Sequence, residues 1–212
     1  IGYLSPDFSN HSVATALRDV IACHDRARFV VEAFSLGRTR DEMTDQLQHD
    51  FDAFHEIVGL GHGQAAAFIA HRDIDILIDL AGHTKGARPE ILAYKAAPVQ
   101  VSAIGYGAPV SAGFVPWHLV DRHLVPQDAR RYYSENLVDM PDCAIPASRP
   151  VRVADGVDRR SAGLPETGVV LANFGGSYKI DPFTFDAWMR ILTQVPDACL
   201  ALLDNTALVN DR

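Results

Sequence analysis

The residues best equipped for chemistry run consecutively as Asn173-Phe174-Gly175-Gly176-Ser177-Tyr178-Lys179-Ile180-Asp181-Pro182. Asp is a good helix N-cap and Pro is favoured at the first helical position, so a helix should start at Asp181-Pro182. Helix starts present free N–H groups and partial positive charge, and Lys179 adds a full charge just ahead of this one. A phosphate or diphosphate could sit there. The same spacing also fits an ordinary strand-to-helix turn with a lysine in solvent. The positioning elements are readable on either side. Val169-Val170-Leu171-Ala172 reads as a buried strand, and Phe185, Trp188, Met189, Leu192 and Val195 recur at helical spacing.

Three more loops carry polar residues after apolar runs: Asp7 to Ser12, Gly82 to Arg88 and Gly105 to Gly113. Each follows the carboxyl end of an expected strand, the edge where open α/β sheets bind ligands. Taken singly, each residue has a plain reading. Asp7 serves as a turn former, and Asn10 or Ser9 as the cap of the next helix. His11 is either a surface histidine or a hydrogen-bonding group titrating near working pH. Thr84 and Lys85 lie in a glycine-flanked turn, where a lone lysine is usually solvated. Gly105 and Gly107 serve positive-φ turns or a close approach to a ligand.

The expected elements alternate. Strands are read at 1–5, 28–36, 54–58, 74–80, 99–104, 119–124 and 136–140. Helices are read around Val13 to His24, Asp41 to His49, Gln64 to His71 and Pro89 to Lys95. Such alternation predicts a doubly wound α/β sheet. Pro141, Pro146, Pro150 and Pro165 punctuate an aperiodic stretch that reads as a linker, after which a fresh strand–helix–strand pattern begins. Two domains are therefore expected, 1–155 and 156–212. The abrupt ends, in a core strand and at Asn210-Asp211-Arg212, read as those of a piece of a larger protein.

Composition limits the function classes. The chain has 212 residues, 48% hydrophobic and 22% charged, which supports a real core. Its formal charge of -8 argues against a general nucleic-acid or anionic-membrane surface, though not against a local basic pocket. Cys23, Cys143 and Cys199 are sparse and widely spaced, as in a reducing cytoplasm. No apolar run approaches the roughly 18 residues of a membrane helix. Gly59-Leu60-Gly61-His62-Gly63 lacks the remaining marks of a dinucleotide fingerprint, and neither a Walker loop nor a nucleophile elbow occurs. His118 and His123 have no carboxylate pattern that would make a metal site, and none is expected.

Four segments together resemble the catalytic region of the O-linked N-acetylglucosamine transferases, a family that also contains the Spindly-type fucosyltransferases. They are Ile1-Gly2-Tyr3 with Asp7-Phe8-Ser9-Asn10-His11; Gly82-His83-Thr84-Lys85-Gly86-Ala87-Arg88; Ala97-Pro98-Val99-Gln100 with Gly105-Tyr106; and Tyr178-Lys179-Ile180-Asp181-Pro182. Their order and spacing follow that family across nearly the whole chain, which looks most like a bacterial member. The resemblance implies an α/β glycosyltransferase fold of the B type, with two Rossmann-like lobes of which the second is only begun. It implies metal-independent chemistry without a cofactor, UDP-N-acetylglucosamine as donor in a cleft between the lobes, a protein or peptide acceptor, and helical repeats upstream.

By the same resemblance Lys179 neutralises the donor diphosphate, with Tyr178 beside it. His11 and Asp7 lie near sugar and acceptor, and either has a claim on a catalytic role. Asn10, Thr84, Lys85, Gly105 and Gly176 are expected to line the substrate site. Some positions depart from the family. Ser12-Val13 replaces a frequent Pro-Thr, Gly107 stands at a proline position of the animal enzymes, and Gly176 replaces a polar side chain. The family's uridine-gripping residues fall beyond Arg212, and a further family histidine precedes Ile1. The expected reaction is inverting transfer of N-acetylglucosamine to Ser or Thr hydroxyls. Its rivals are fucose transfer from a GDP donor and a non-catalytic nucleotide-sugar-binding or scaffolding module. An isolated piece is expected to be inactive.

Overall fold

The computed structural model describes residues 1–146 and 155–203. The chain divides into two compact units, Ile1–Val151 and Arg152–Arg212. Residues 147–154 of the expected linker, and the terminal Asn210-Asp211-Arg212, lie outside the described residues.

The first unit is built on seven parallel strands. In chain order its elements are β1 (Gly2–Ser5), α1 (Ser12–Ala22), β2 (Glu32–Ser35), α2 (Glu42–Asp50), β3 (Ala53–Glu56), α3 (His62–Ala70), β4 (Ile76–Asp79), α4 (Glu90–Ala93), β5 (Val99–Ser102), β6 (Trp117–Val120) and β7 (Asn136–Asp139). The spatial order is β3-β2-β1-β4-β5-β6-β7. The chain winds outward from β1 to β3, then returns and winds the other way from β4 (which pairs with β1). The direction therefore reverses between β1 and β4, and in open α/β sheets the crevice at such a reversal is where ligands bind.

Adjacent strand residues serve opposite faces. Leu4 joins Phe34, Leu77, Ile69, Ile91 and Leu92 under α3 and α4, whereas Tyr3 joins Ala33, Leu17, Ile21, Leu47 and Phe51 under α1 and α2. Burial on both faces explains why the strands read as apolar runs rather than alternating ones. At the amino end of β2 the buried Glu32 accepts from Arg72 Nη2 at 2.7 Å and Nε at 2.9 Å, and His55 Nε2 lies 2.8 Å away. Burial alone would push this carboxyl up, but the Arg72 and His55 contacts hold it below its ordinary value.

Three expected boundaries move, each for a local reason. β2 starts at Glu32, because Arg28 and Phe29 close a turn onto the Asp25 carbonyl. β6 stops at Val120, because the Asp121 carboxylate gathers the His123 and Leu124 amides at 2.7 Å each and turns the chain. The helix after Pro89 is a single turn, with Lys95 in the left-handed region at φ 54° just beyond it.

In the second unit β8 (Val170–Asn173) and β9 (Cys199–Leu202) pair in parallel around α5 (Pro182–Gln194). Here the expectation of a buried strand fails: Val169 is 48% exposed and none of β8 is buried. Among the described residues of this unit, a two-stranded sheet and one helix leave apolar surface open, including Phe183 and Ile191 of α5.

Candidate active site

The site is built from loops after β1, β4 and β5, three neighbouring strands at the reversal. The loop after β1 ends at His11, which is itself the N-cap of α1: with extended backbone (φ -139°, ψ 152°), its Nδ1 accepts the Val13 amide at 3.3 Å. This corrects the expectation that Asn10 or Ser9 caps the helix. Asn10 instead donates its backbone N–H to Asp41 Oδ2 at 2.7 Å, and the Thr44 hydroxyl donates to the Phe8 carbonyl at 2.8 Å. The start of α2 thus clamps the loop that carries the histidine.

Asp7 Oδ2 lies 3.7 Å from His11 Nδ1, with side-chain exposures of 19% and 46% respectively. Burial pushes the Asp7 carboxyl above its ordinary value, against the pull of His11. A ring nitrogen that accepts an amide carries no hydrogen. In its neutral form His11 therefore holds its hydrogen on Nε2 and can donate from there.

The loop after β4 is organised by Asp79, which sequence reasoning passed over. It is 3% exposed and accepts the Ala81 amide at 3.2 Å and the Gly82 amide at 2.9 Å. Burial raises its pKa, and the two amides oppose the rise. The available signal was an Asp at the end of an apolar run and just ahead of a glycine, where its side chain can accept the amide two residues on as in an Asx turn. Gly82 takes the left-handed conformation this turn needs, at φ 53°. Thr84 closes the turn, its amide and hydroxyl both donating to the Ala81 carbonyl at 2.9 and 2.8 Å. Lys85 is exposed beside it.

In the loop after β5 the positive-φ alternative for the two glycines fails. Neither Gly105 nor Gly107 has positive φ; Ile104 does, at 54°. The Gly105 amide donates to the Ala103 carbonyl at 2.7 Å, closing a strained three-residue turn about Ile104. A Cβ on Gly105 would stand 1.8 Å from the Leu80 carbonyl oxygen, so packing requires glycine there whatever binds.

The three loops touch. A Cβ on Gly86 would meet Pro6 at 3.0 Å, and one on Gly105 would meet Val13 at 3.2 Å. His83 packs edge-on to Tyr106, and its Nε2 reaches the Val110 carbonyl at 2.9 Å. Asp7, Asn10, His11, Thr84, Lys85 and Gly105 are thus gathered at one edge of the first unit.

In the second unit, Ser177–Lys179 forms a single 3-10 turn between β8 and α5. Tyr178 is 86% exposed, and Lys179 Nζ lies 5.7 Å from its ring centre. Gly176 opens this turn, its carbonyl accepting the Lys179 amide at 2.9 Å. Asp181 caps α5 by accepting the Thr184 amide at 2.8 Å. The helix start is therefore partly satisfied from within, which leaves Lys179 as the principal positive group of this loop. Among the described residues no three His, Cys, Asp or Glu side chains gather as a metal site requires.

Comparison with known proteins agrees with this geometry. The chain is similar to a probable UDP-N-acetylglucosamine--peptide N-acetylglucosaminyltransferase, SEC, of Arabidopsis thaliana. The two are 33% identical over 210 residues, covering 96% of this chain and 22% of that protein. It is 34% identical over 143 residues to the Caenorhabditis elegans UDP-N-acetylglucosamine--peptide N-acetylglucosaminyltransferase, covering 66% of this chain and 12% of the relative. A solved mutant of the Thermobaculum terrenum O-GlcNAc transferase superposes with a TM-score of 0.84 at 28% identity, over 95% of this chain and 38% of the other. The chain therefore spans only part of these relatives. The fold is α/β, of the glycosyltransferase B type. The sequence model of glycosyl transferase family 41 matches residues 1–146 and 151–210, and the chain belongs to that family.

Proposed function

We propose that the parent protein of this chain is an inverting glycosyltransferase that moves N-acetylglucosamine from UDP-N-acetylglucosamine to Ser or Thr hydroxyls of a protein. One observation carries the reading: the Asp7–His11 pair and the Thr84 turn meet at the carboxyl ends of β1 and β4, where the winding reverses. The names of the plant and nematode relatives supply the donor and the peptide acceptor.

In this reading the acceptor oxygen bonds to the anomeric carbon as the bond from that carbon to the diphosphate breaks. The electron pair leaves with UDP, and charge grows on the β-phosphate. Lys179 of the second unit stabilises that charge, with Tyr178 flanking it. His11 donates from Nε2 to a donor oxygen. Asp7 is the member of the pair with lone pairs to take the acceptor proton. Thr84, Lys85, Asn10 and the backbone at Gly105 line the sugar side, and Gly176 shapes the turn that presents Lys179. No step needs a metal or a cofactor. Helical repeats precede the catalytic region in the parent, and the three free thiols Cys23, Cys143 and Cys199 suit a reducing cytoplasm.

The test is transfer by the full-length parent from UDP-N-acetylglucosamine against GDP-fucose. The first donor should be used, and Lys179→Met should lower kcat by about 10²–10³-fold, on the order of 2.7–4 kcal/mol by analogy with oxyanion donors. Preference for GDP-fucose, or near-normal turnover by Lys179→Met, would overturn the assignment.

A further inference from the structure

We propose that Tyr133 and Glu135, which lie far along the chain from the site, are positioning residues that fix the loop from Gly105 to Gly113 for the nucleotide sugar. The inference rests on the function proposed above. The loop needs such support. Two non-glycine residues, Ile104 immediately before it and Ser111 within it, lie in the left-handed region at φ 54° each, and Ile is β-branched. Backbone of this kind persists only where its surroundings over-determine it, and it concentrates at functional sites.

The surroundings here can be named. Glu135 is 7% exposed, and its Oε1 accepts the Ser111 amide at 2.7 Å, at one strained position. Its Oε2 takes the Ser134 hydroxyl at 3.2 Å. The Tyr133 hydroxyl donates to the Gly107 carbonyl at 3.1 Å, nearer the other strained position. Tyr133 is in turn held edge-on by the buried His118 ring, with centroids 5.6 Å apart. The β4 side adds His83 on the Val110 carbonyl at 2.9 Å, and β5 adds Gln100 Nε2 on the Phe114 carbonyl at 2.5 Å.

The segment just ahead of edge strand β7 thus reaches back to the loop after β5. Burial pushes the Glu135 carboxyl up, but hydrogen bonds, the Ser111 amide foremost, hold it below its ordinary value. An ionised acceptor is the stronger anchor for an amide. The held loop presents Gly105 beside Val13, at the start of the helix capped by His11.

The experiment compares the full-length parent with its Glu135→Ala, Glu135→Gln and Tyr133→Phe variants, reading donor KM, kcat, melting temperature and hydrogen exchange of peptides spanning residues 104–113. Glu135→Ala should raise the KM for UDP-N-acetylglucosamine at least tenfold with kcat within about threefold, and should speed exchange in the loop. Glu135→Gln keeps an acceptor oxygen and should restore most of the affinity. Tyr133→Phe should raise KM several-fold. Unchanged KM in Glu135→Ala, with or without a lower melting temperature, would overturn the proposal and reduce both residues to structural ties. Failure of the unmodified parent to use any nucleotide sugar would instead overturn the functional reading, and this inference with it.

Discussion

Asp7 Oδ2 stands 3.7 Å from His11 Nδ1, four residues on in the same loop, and that same nitrogen accepts the Val13 amide. One atom is thus claimed both by a helix cap and by a carboxylate. Neutral His11 satisfies the cap. Protonated His11 must surrender it and turn Nδ1–H toward Asp7. The two duties can be separated by substitution. His11→Ala should lose the cap and cost about 1 kcal/mol in urea unfolding. His11→Asn, a good cap, should regain that stability without regaining glycosyl transfer in the parent. Transfer at wild-type rate by His11→Asn would show that the histidine only caps.

Gly105 and Gly107 should respond oppositely to the same change. A methyl group at Gly105 would strike the Leu80 carbonyl oxygen at 1.8 Å, whereas at Gly107 the nearest atom is Leu124 Cδ1 at 3.8 Å. Gly105→Ala should therefore destabilise the chain by about 3 kcal/mol or more. Gly107→Ala should stay within about 0.5 kcal/mol of wild type. Thermal melts of both variants are sufficient; a tolerated Gly105→Ala would contradict the packing of β5 against the end of β4.

Asp79 offers a test through pH. Its folded-state pKa is raised, so the folded chain binds this proton more tightly than the unfolded one. The stability it contributes is full below its ordinary value of 3.8 and is lost as pH rises through the folded value. Asp79→Asn removes that titration and turns an amide group toward one of the Ala81 and Gly82 N–H donors. The variant should be less stable by about 1–3 kcal/mol. The gap to wild type should be widest at low pH and should narrow as pH rises. A gap that widens with pH would reverse the assigned sign.

His118 should show the opposite dependence. Burial lowers its pKa, with Glu135 opposing, and its Nδ1 has no hydrogen-bond partner among the described residues. Its contribution is present above the ordinary value of 6.5 and lost as pH falls through the folded value, because the unfolded chain then takes up the proton first. His118→Leu removes both the titration and an unpaired buried nitrogen. At pH 7.5 it should cost less than about 1 kcal/mol. Its melting temperature should fall less than that of wild type on acidification; parallel curves would rule His118 out as the titrating group.

Much of the architecture is legible in the sequence because a sheet buried on both faces writes itself as short apolar runs, such as Ile76 to Asp79, separated by glycine and polar clusters. The order of the strands is not written there, since β1 carries no mark that its partners are β2 and β4. Local capping was legible at Asp181, where the chemistry is common, and misread where a histidine does the work. Gly105 shows the limit most clearly: its loop position does not reveal that the Leu80 carbonyl oxygen leaves no room for a Cβ, a packing demand that holds whatever binds there. Tyr133 and Glu135 were invisible for another reason. Their partners, Gly107 and Ser111, are 26 and 24 residues away, and no local pattern encodes such a contact.

The reversal between β1 and β4 also governs how the chain can be made. Gly2–Ser5 pairs on one side with Glu32–Ser35 and on the other with Ile76–Asp79, which reaches the ribosome exit much later. At about 5–20 residues per second, β1 waits on the order of 4–15 s for its second neighbour. During that interval an apolar strand destined for the centre of the sheet keeps one edge unpaired, as parallel pairing across long sequence separations entails. The strand order that puts the reversal between β1 and β4 thus also prolongs the exposure of the nascent strand to chaperones and to aggregation.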